Sequence, residues 1–191
     1  APSSHGIATI ETCSQTSVDT KIAVYAGAGC PVVAPVACND DTCSLQSRVQ
    51  FGFTPGAVYT IQLGTYVTSS GGTGNMNITV GAPQVKISQV YGAGGNAAAP
   101  ILNDYIELYN AGPVAQDISG WSVQYMSSSG TPTVANTTAI PAATVLGPGR
   151  YLLVQEAAGA AGAGSVPSLP APQATGTIAM SATDFKVALV N

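Results

Sequence analysis

The chain has 191 residues, 46% of them apolar and only 7% charged, with a net charge of −4. That length accommodates one large all-β domain or two small ones, and so little charge leaves the surface to be solvated by Ser, Thr, Asn, Gln and backbone, with weak repulsion between copies. The five Lys and Arg are scattered at Lys21, Arg48, Lys86, Arg150 and Lys186, which argues against direct nucleic-acid binding, and no apolar run approaches the ~20 residues of a membrane span.

Residues 7–12, 21–25, 47–53, 58–63 and 75–80 each alternate apolar and polar side chains, the period of a half-buried strand. Turn signals separate them: Ala26-Gly-Ala-Gly29, Thr54-Pro-Gly56 and the Gly/Ser-rich run 69–74. Short strands at this spacing predict an antiparallel sandwich. Gly81-Ala-Pro83 interrupts the series, and a second one follows: 85–91, 104–109, 121–125, 151–155, 176–180 and 186–190. The boundary is expected near residue 82, giving modules 1–82 and 83–191 joined by a linker too short to swing freely. The run 157–164 is small-residue low complexity and 165–172 is proline-rich. Together they read as a long surface loop, extended in its second half, with three glycines weighing against a short helix in the Ala run.

Four cysteines stand at 13, 30, 38 and 43 and none follows. The even count reads as two disulfides; zinc is the competing reading, disfavoured because Cys13 lies far off in strand-like, acidic surroundings. The expected pairs are Cys30–Cys38, flanking a Pro-Val-Val-Ala-Pro-Val run that would bring adjacent strand ends together, and Cys13–Cys43, tying the first strand to the loop. Two disulfides imply an oxidising compartment, and Ala1 reads as a mature N terminus left by cleavage at a small-residue site. The expected location is therefore extracellular.

Chemistry-bearing residues are few. The single histidine, His5, reads as a solvated tail residue, and no nucleophile elbow, zinc-protease helix or phosphate loop is present, so no enzymatic activity is expected. Asn39, Asp40 and Asp41 lie between Cys38 and Cys43, and Asp19 precedes a strand of the same module. Three hard-oxygen side chains on a pinned loop, together with Asp19, are a candidate calcium site, set against a plain Asx turn. Asn103, Asp104, Glu107 and Asn110 surround one strand of the second module. Asp104 and Glu107 fall on opposite faces, so these are expected to satisfy loop backbone rather than act as an acid/base pair. Trp121 reads as a core anchor.

On these residues two resemblances rest. Thr12-Cys13, Asp19-Thr20, Ala23-Val-Tyr25, Cys38-Asn-Asp-Asp41, Leu45-Gln-Ser-Arg-Val49 and Gly56-Ala-Val-Tyr59 resemble the bacterial pre-peptidase C-terminal-type sandwich, a jelly-roll-like module. The second half is similar to a bacterial lamin-tail domain, which is immunoglobulin-like. It is carried by Asn103-Asp-Tyr-Ile-Glu-Leu-Tyr-Asn110, Asp117-Ile-Ser-Gly-Trp-Ser-Val-Gln-Tyr125, Gly147-Pro-Gly149 and Lys186-Val-Ala-Leu-Val-Asn191. Both resemblances imply non-catalytic modules, the second with a frequent neighbour, a secreted nuclease domain. Against both family patterns each module looks short of strands, so either the chain is a piece of a longer polypeptide or another chain supplies them. The expected function is structural or adhesive: a homo-oligomer or polymer joined through exposed strand edges, as a filament or surface layer, with 7–12, 186–190 and the mobile N-terminal residues 1–6 as exchanging segments. The alternative is the accessory, targeting or binding region of a larger secreted nuclease or protease.

Overall fold

The computed structural model describes residues 4–68, 70–159 and 167–191. The chain divides into two compact units, Ala1–Pro83 with Pro113–Gln116, and Gln84–Gly112 with Asp117–Asn191. Both are β, and the only helical segment among the described residues is a single 3-10 turn at Val134–Asn136.

The first unit holds six strands: β1 (Gly6–Glu11), β2 (Thr20–Ala26), β3 (Ala37–Asn39), β4 (Arg48–Phe53), β5 (Tyr59–Thr65) and β6 (Asn77–Gly81). They form two three-stranded antiparallel sheets, ordered β4-β1-β6 and β3-β2-β5. Alternation places Ala8 and Ile10 of β1, Ile22 and Val24 of β2, and Val49, Phe51 and Phe53 of β4 on the facing surfaces, where they form the core. The segment 7–12, expected at an edge, is instead central: β1 is hydrogen-bonded on both sides, because Ala8 and Ile10 are apolar enough to be covered from above while β4 and β6 supply ladders.

The second unit contains β7 (Val85–Tyr91), β8 (Asn103–Asn110), β10 (Ser122–Ser127), β11 (Thr137–Ala139), β12 (Val145–Leu146), β13 (Tyr151–Ala158), β14 (Ala174–Thr175) and β15 (Phe185–Val190), and the chain division falls within the two-residue β9 (Gln116–Asp117). A β14-β13-β8-β7 sheet faces a β11-β10-β15 sheet, with a small β9-β12 pair. Ile106, Leu108, Trp121, Val123, Leu152 and Val154 are each no more than 3% exposed at the centre of its core, so Trp121 is the anchor expected of it. β15 is an edge strand, as read from sequence.

Residues 176–180 do not form the expected strand. The segment is extended, but side chains complete its ladder: Gly176 N–H donates to the Gln155 carbonyl (2.8 Å), Ile178 N–H to Glu156 Oε2 (3.0 Å) and Met180 N–H to Asp104 Oδ2 (2.7 Å). Alternate amides of an extended chain point to one edge, and here two buried carboxylates stand where a neighbouring strand's carbonyls would be. Of the low-complexity and proline-rich runs, 160–166 lie outside the described residues, as do 1–3 of the N-terminal segment. His5, expected in a solvated tail, is half-buried and engaged in an interaction.

Candidate functional site

Three places in the fold gather chemistry. The first is the loop between β3 and β4. Cys13 and Cys43 are joined in a disulfide that ties the end of β1 to this loop. Beneath it lies a buried hydroxyl knot. Thr12 and Thr20 hydroxyls are 2.7 Å apart, the Ser47 amide donates to both (3.1 and 3.2 Å), and the Ser47 hydroxyl reaches the carbonyls of Thr20 and Asp40. All three residues are at most 4% exposed, so the knot satisfies backbone that the crossing of β1, β2 and β4 leaves unpaired. Sequence reading missed it, although Thr12, Thr20 and Ser47 each abut a predicted strand end.

On that base, ligand oxygens of Asp19, Asp40 and Asp41 lie within 4.8 Å of one another. Asn39, read with them as a ligand, has its Oδ1 committed to the Thr42 and Arg48 amides (3.1 and 3.0 Å), which is the Asx-type cap. Asp40 also pairs with Lys21 (2.8 Å), whose ammonium sits 4.5 Å from the Tyr66 ring centroid. The Asp40 hydrogen bond raises the Lys21 pKa.

Cys30 and Cys38 do not form the expected second disulfide; both are exposed thiols. The register explains it. Cys38 is on β3, opposite Ala23, well inside the β2–β3 pair, whereas Cys30 lies beyond the end of β2 in the loop at the tip. The Pro-Val run therefore does not bring them together.

The second place is the side of the first unit between β5 and β6. Both are terminal strands of their sheets. Ile78 and Val80 pair with Ile10 and Ala8, and Leu63 and Ile61 with Ile22 and Val24, so all four point inward. Yet Ile78 is 54%, Val80 58% and Leu63 50% exposed. The sandwich is therefore open along this side. Ile61, Ile78 and Val80 line an apolar slot of about 200 Å³ that reaches down to Ala8, Ile10 and Phe51 and bears no charged side chain. The opposite side is closed, with β3 and β4 bridged through Asn39 and Thr42.

The third place is the Asp104–Glu156 pair, 5% and 1% exposed. Asp104 Oδ1 accepts the Gly94 amide (2.8 Å) and Asn103 Nδ2 donates to the Glu156 carbonyl (3.0 Å). Burial pushes both carboxyls above their ordinary values. Asn110 likewise spans Leu146 O and the Gly112 amide (2.8 and 2.9 Å). These groups hold loops in place, and Glu107 lies on the other face with Ser88 (2.6 Å).

The second unit is thus an immunoglobulin-like sandwich in which buried Asn103, Asp104, Asn110 and Glu156 each bond its own backbone, a non-enzymatic fold. A family model, the Lamin Tail Domain, matches residues 78–191, and the chain belongs to that family. No match supports a pre-peptidase C-terminal-type module in the first half. No curated protein and no solved structure matches the chain. Among the described residues no helix is long and apolar enough to cross a membrane.

Proposed function

We propose that this protein is a non-catalytic structural subunit that works outside the cell and assembles by β-strand exchange into a filament or surface layer. The open β5/β6 side carries the reading. Among the described residues, two terminal strands flank inward-facing apolar side chains that are left exposed. Unpaired N–H and C=O groups beside an apolar slot are what an added strand satisfies. The Cys13–Cys43 disulfide and the scarcity of charge support an extracellular setting. Adhesion to a surface follows naturally from such an assembly. Negative-stain microscopy over a concentration series, with and without calcium, tests the proposal: dispersed particles throughout would refute it.

A second reading is the accessory region of a larger secreted nuclease or protease; the lamin-tail family membership supports the nuclease form of it, since that resemblance implies a secreted nuclease neighbour. The coding sequence on either side of this segment distinguishes the two. The acidic loop adds a calcium proposal to either: Asp19, Asp40 and Asp41 would supply ligands, with Asn39 holding the loop. In support, Asp19 Oδ1 and Asp40 Oδ1 are shielded from solvent without a hydrogen-bond donor.

A further inference from the structure

We infer that the strand received by the β5/β6 slot is the arm 31–35 of a second copy of this chain. The inference rests on the strand-exchange reading and names its donor. The arm, Pro31-Val-Val-Ala-Pro35, is exposed throughout, with Val32 at 94% and Val33 at 59%. Isolated exposed valines are ordinary, but a run of apolar residues at a loop tip with no polar relief is a surface that lacks its cover. Among the described residues, no backbone carbonyl accepts the amides of Val32, Val33 or Ala34.

The arm's pattern fits an end strand. Its five positions match the five residues of β6. In an extended chain, alternate residues share both a face and a hydrogen-bonding edge. Val32 and Ala34 therefore present two small apolar side chains to one face and two N–H donors to one edge. Pro31, Val33 and Pro35 fall on the other edge, where both prolines lack a donor. Laid beside β6, the arm places Val32 and Ala34 next to Ile78 and Val80 on the same face and turns its proline edge outward. Prolines are tolerated at such an edge and blunt it against further pairing. One copy thus caps one slot without starting lateral sheet growth. Gly27 and Gly29, at φ +97° and +88°, supply the left-handed turns that lead from β2 into the arm. Because slot and arm are different surfaces of the same chain, the contact is heterologous and propagates head to tail.

Complementation tests this in a Cys30→Ser/Cys38→Ser background, which removes thiol cross-linking. The arm variant Val32→Asp/Ala34→Asp and the slot variant Ile78→Asp/Val80→Asp alter exposed side chains. Light scattering should find each monomeric where the parent forms concentration-dependent oligomers. Mixed in equal amounts, they should give a 1:1 dimer that grows no further, since the arm variant keeps its slot and the slot variant keeps its arm. That dimer also certifies that both variants are folded. An arm variant that still assembles, while the slot variant does not, overturns the inference and leaves strand exchange standing with another donor. Absence of a dimer on mixing also overturns it. A parent that stays monomeric at every concentration sinks the strand-exchange reading itself.

Discussion

Two carboxyl groups buried without a cation should make the second unit less stable as pH rises, the reverse of ordinary acid unfolding. The ion pairs among the described residues, Lys21–Asp40 and Arg48–Glu11, involve neither Asp104 nor Glu156. Desolvation is the leading cause of the upward shift in both. The Met180 and Gly94 amides pull Asp104 partly back, Thr138 and Ile178 do the same for Glu156, and the Asp104 charge pushes Glu156 further up. A carboxyl whose pKa is raised on folding binds its proton more tightly in the native state. Stability is therefore greatest at low pH and falls as pH climbs from the ordinary values, 3.8 for Asp and 4.5 for Glu, through the raised ones. The slope is at most about 1.4 kcal/mol per pH unit for each group. Substitutions separate charge from hydrogen bonding. Glu156 accepts one backbone amide, from Ile178, which the oxygen of Gln can still do while its NH2 turns to the Thr138 hydroxyl. Glu156→Gln should thus leave stability at pH 7 unchanged or raise it by about 1 kcal/mol, with a shallower pH slope. Asp104 accepts two amides with its two oxygens, so Asp104→Asn sets an NH2 against one of them and should cost about 1.5–3 kcal/mol. Trp121, the single Trp and 3% exposed in this core, reports on this unit alone in denaturant titrations from pH 4.5 to 8. A flat or rising profile, or a Glu156→Gln variant weaker than Asp104→Asn, would refute the reasoning.

The Cys13–Cys43 bridge closes a sequence separation of 30, so Cys13→Ser/Cys43→Ser should lower the stability of the first unit by about 4 kcal/mol in the chain-entropy model, read as a shift in its melting. Native protein should take two equivalents of a thiol reagent, at Cys30 and Cys38, and two more only after reduction; native protein taking none would restore the second disulfide. Calcium should raise the melting temperature of the first unit relative to chelator, and Asp40→Asn/Asp41→Asn should abolish the difference; identical melting curves with and without calcium would end the cation proposal.

Strands were legible wherever one face is buried and the other wet, because alternation is then imposed by solvent. This covers β1, β2, β4, β7, β8, β10, β13 and β15, and the same alternation located β5 and β6, although β6 is exposed on both faces. The short strands β3, β9, β11, β12 and β14 carry two or three residues each, too few for a period. The segment 176–180 shows why a correct local pattern can still mislead: its alternation is genuine, but its partners are side chains 22 and 76 positions away. The Cys30–Cys38 pairing failed for a similar reason. Spacing suggested that Cys30 and Cys38 face each other, but pairing depends on the β2–β3 register, which places Ala23 opposite Cys38. Of the acidic site, sequence proximity supplied Asp40 and Asp41 and strand order supplied Asp19. That Asn39 would turn back to cap its own loop depends on the backbone path alone. The exposure of Ile78 and Val80 was invisible, since the alternation that placed them inward says nothing about whether the facing sheet extends over them.

Salt separates the proposed assembly from an electrostatic one. No charged side chain lines the slot, and the arm 31–35 carries none. Strand exchange there gains from apolar burial and backbone hydrogen bonds, neither of which is screened. Raising ionic strength shortens the Debye length from about 10 Å at 0.1 M to about 3 Å at 1 M. An assembly held by the exposed Lys21–Asp40 and Arg48–Glu11 groups, re-paired between copies, would weaken across that range. The slot-and-arm assembly should persist in 1 M sodium chloride, and sulfate, which strengthens apolar burial, should shift it towards longer species. With a net charge of −4, salt also removes what little repulsion exists between copies, so both effects act in the same direction. Light scattering of one stock across a chloride and a sulfate series reads this directly. Dissociation in chloride would show that charges hold the copies together and that the open β5/β6 side is not the contact.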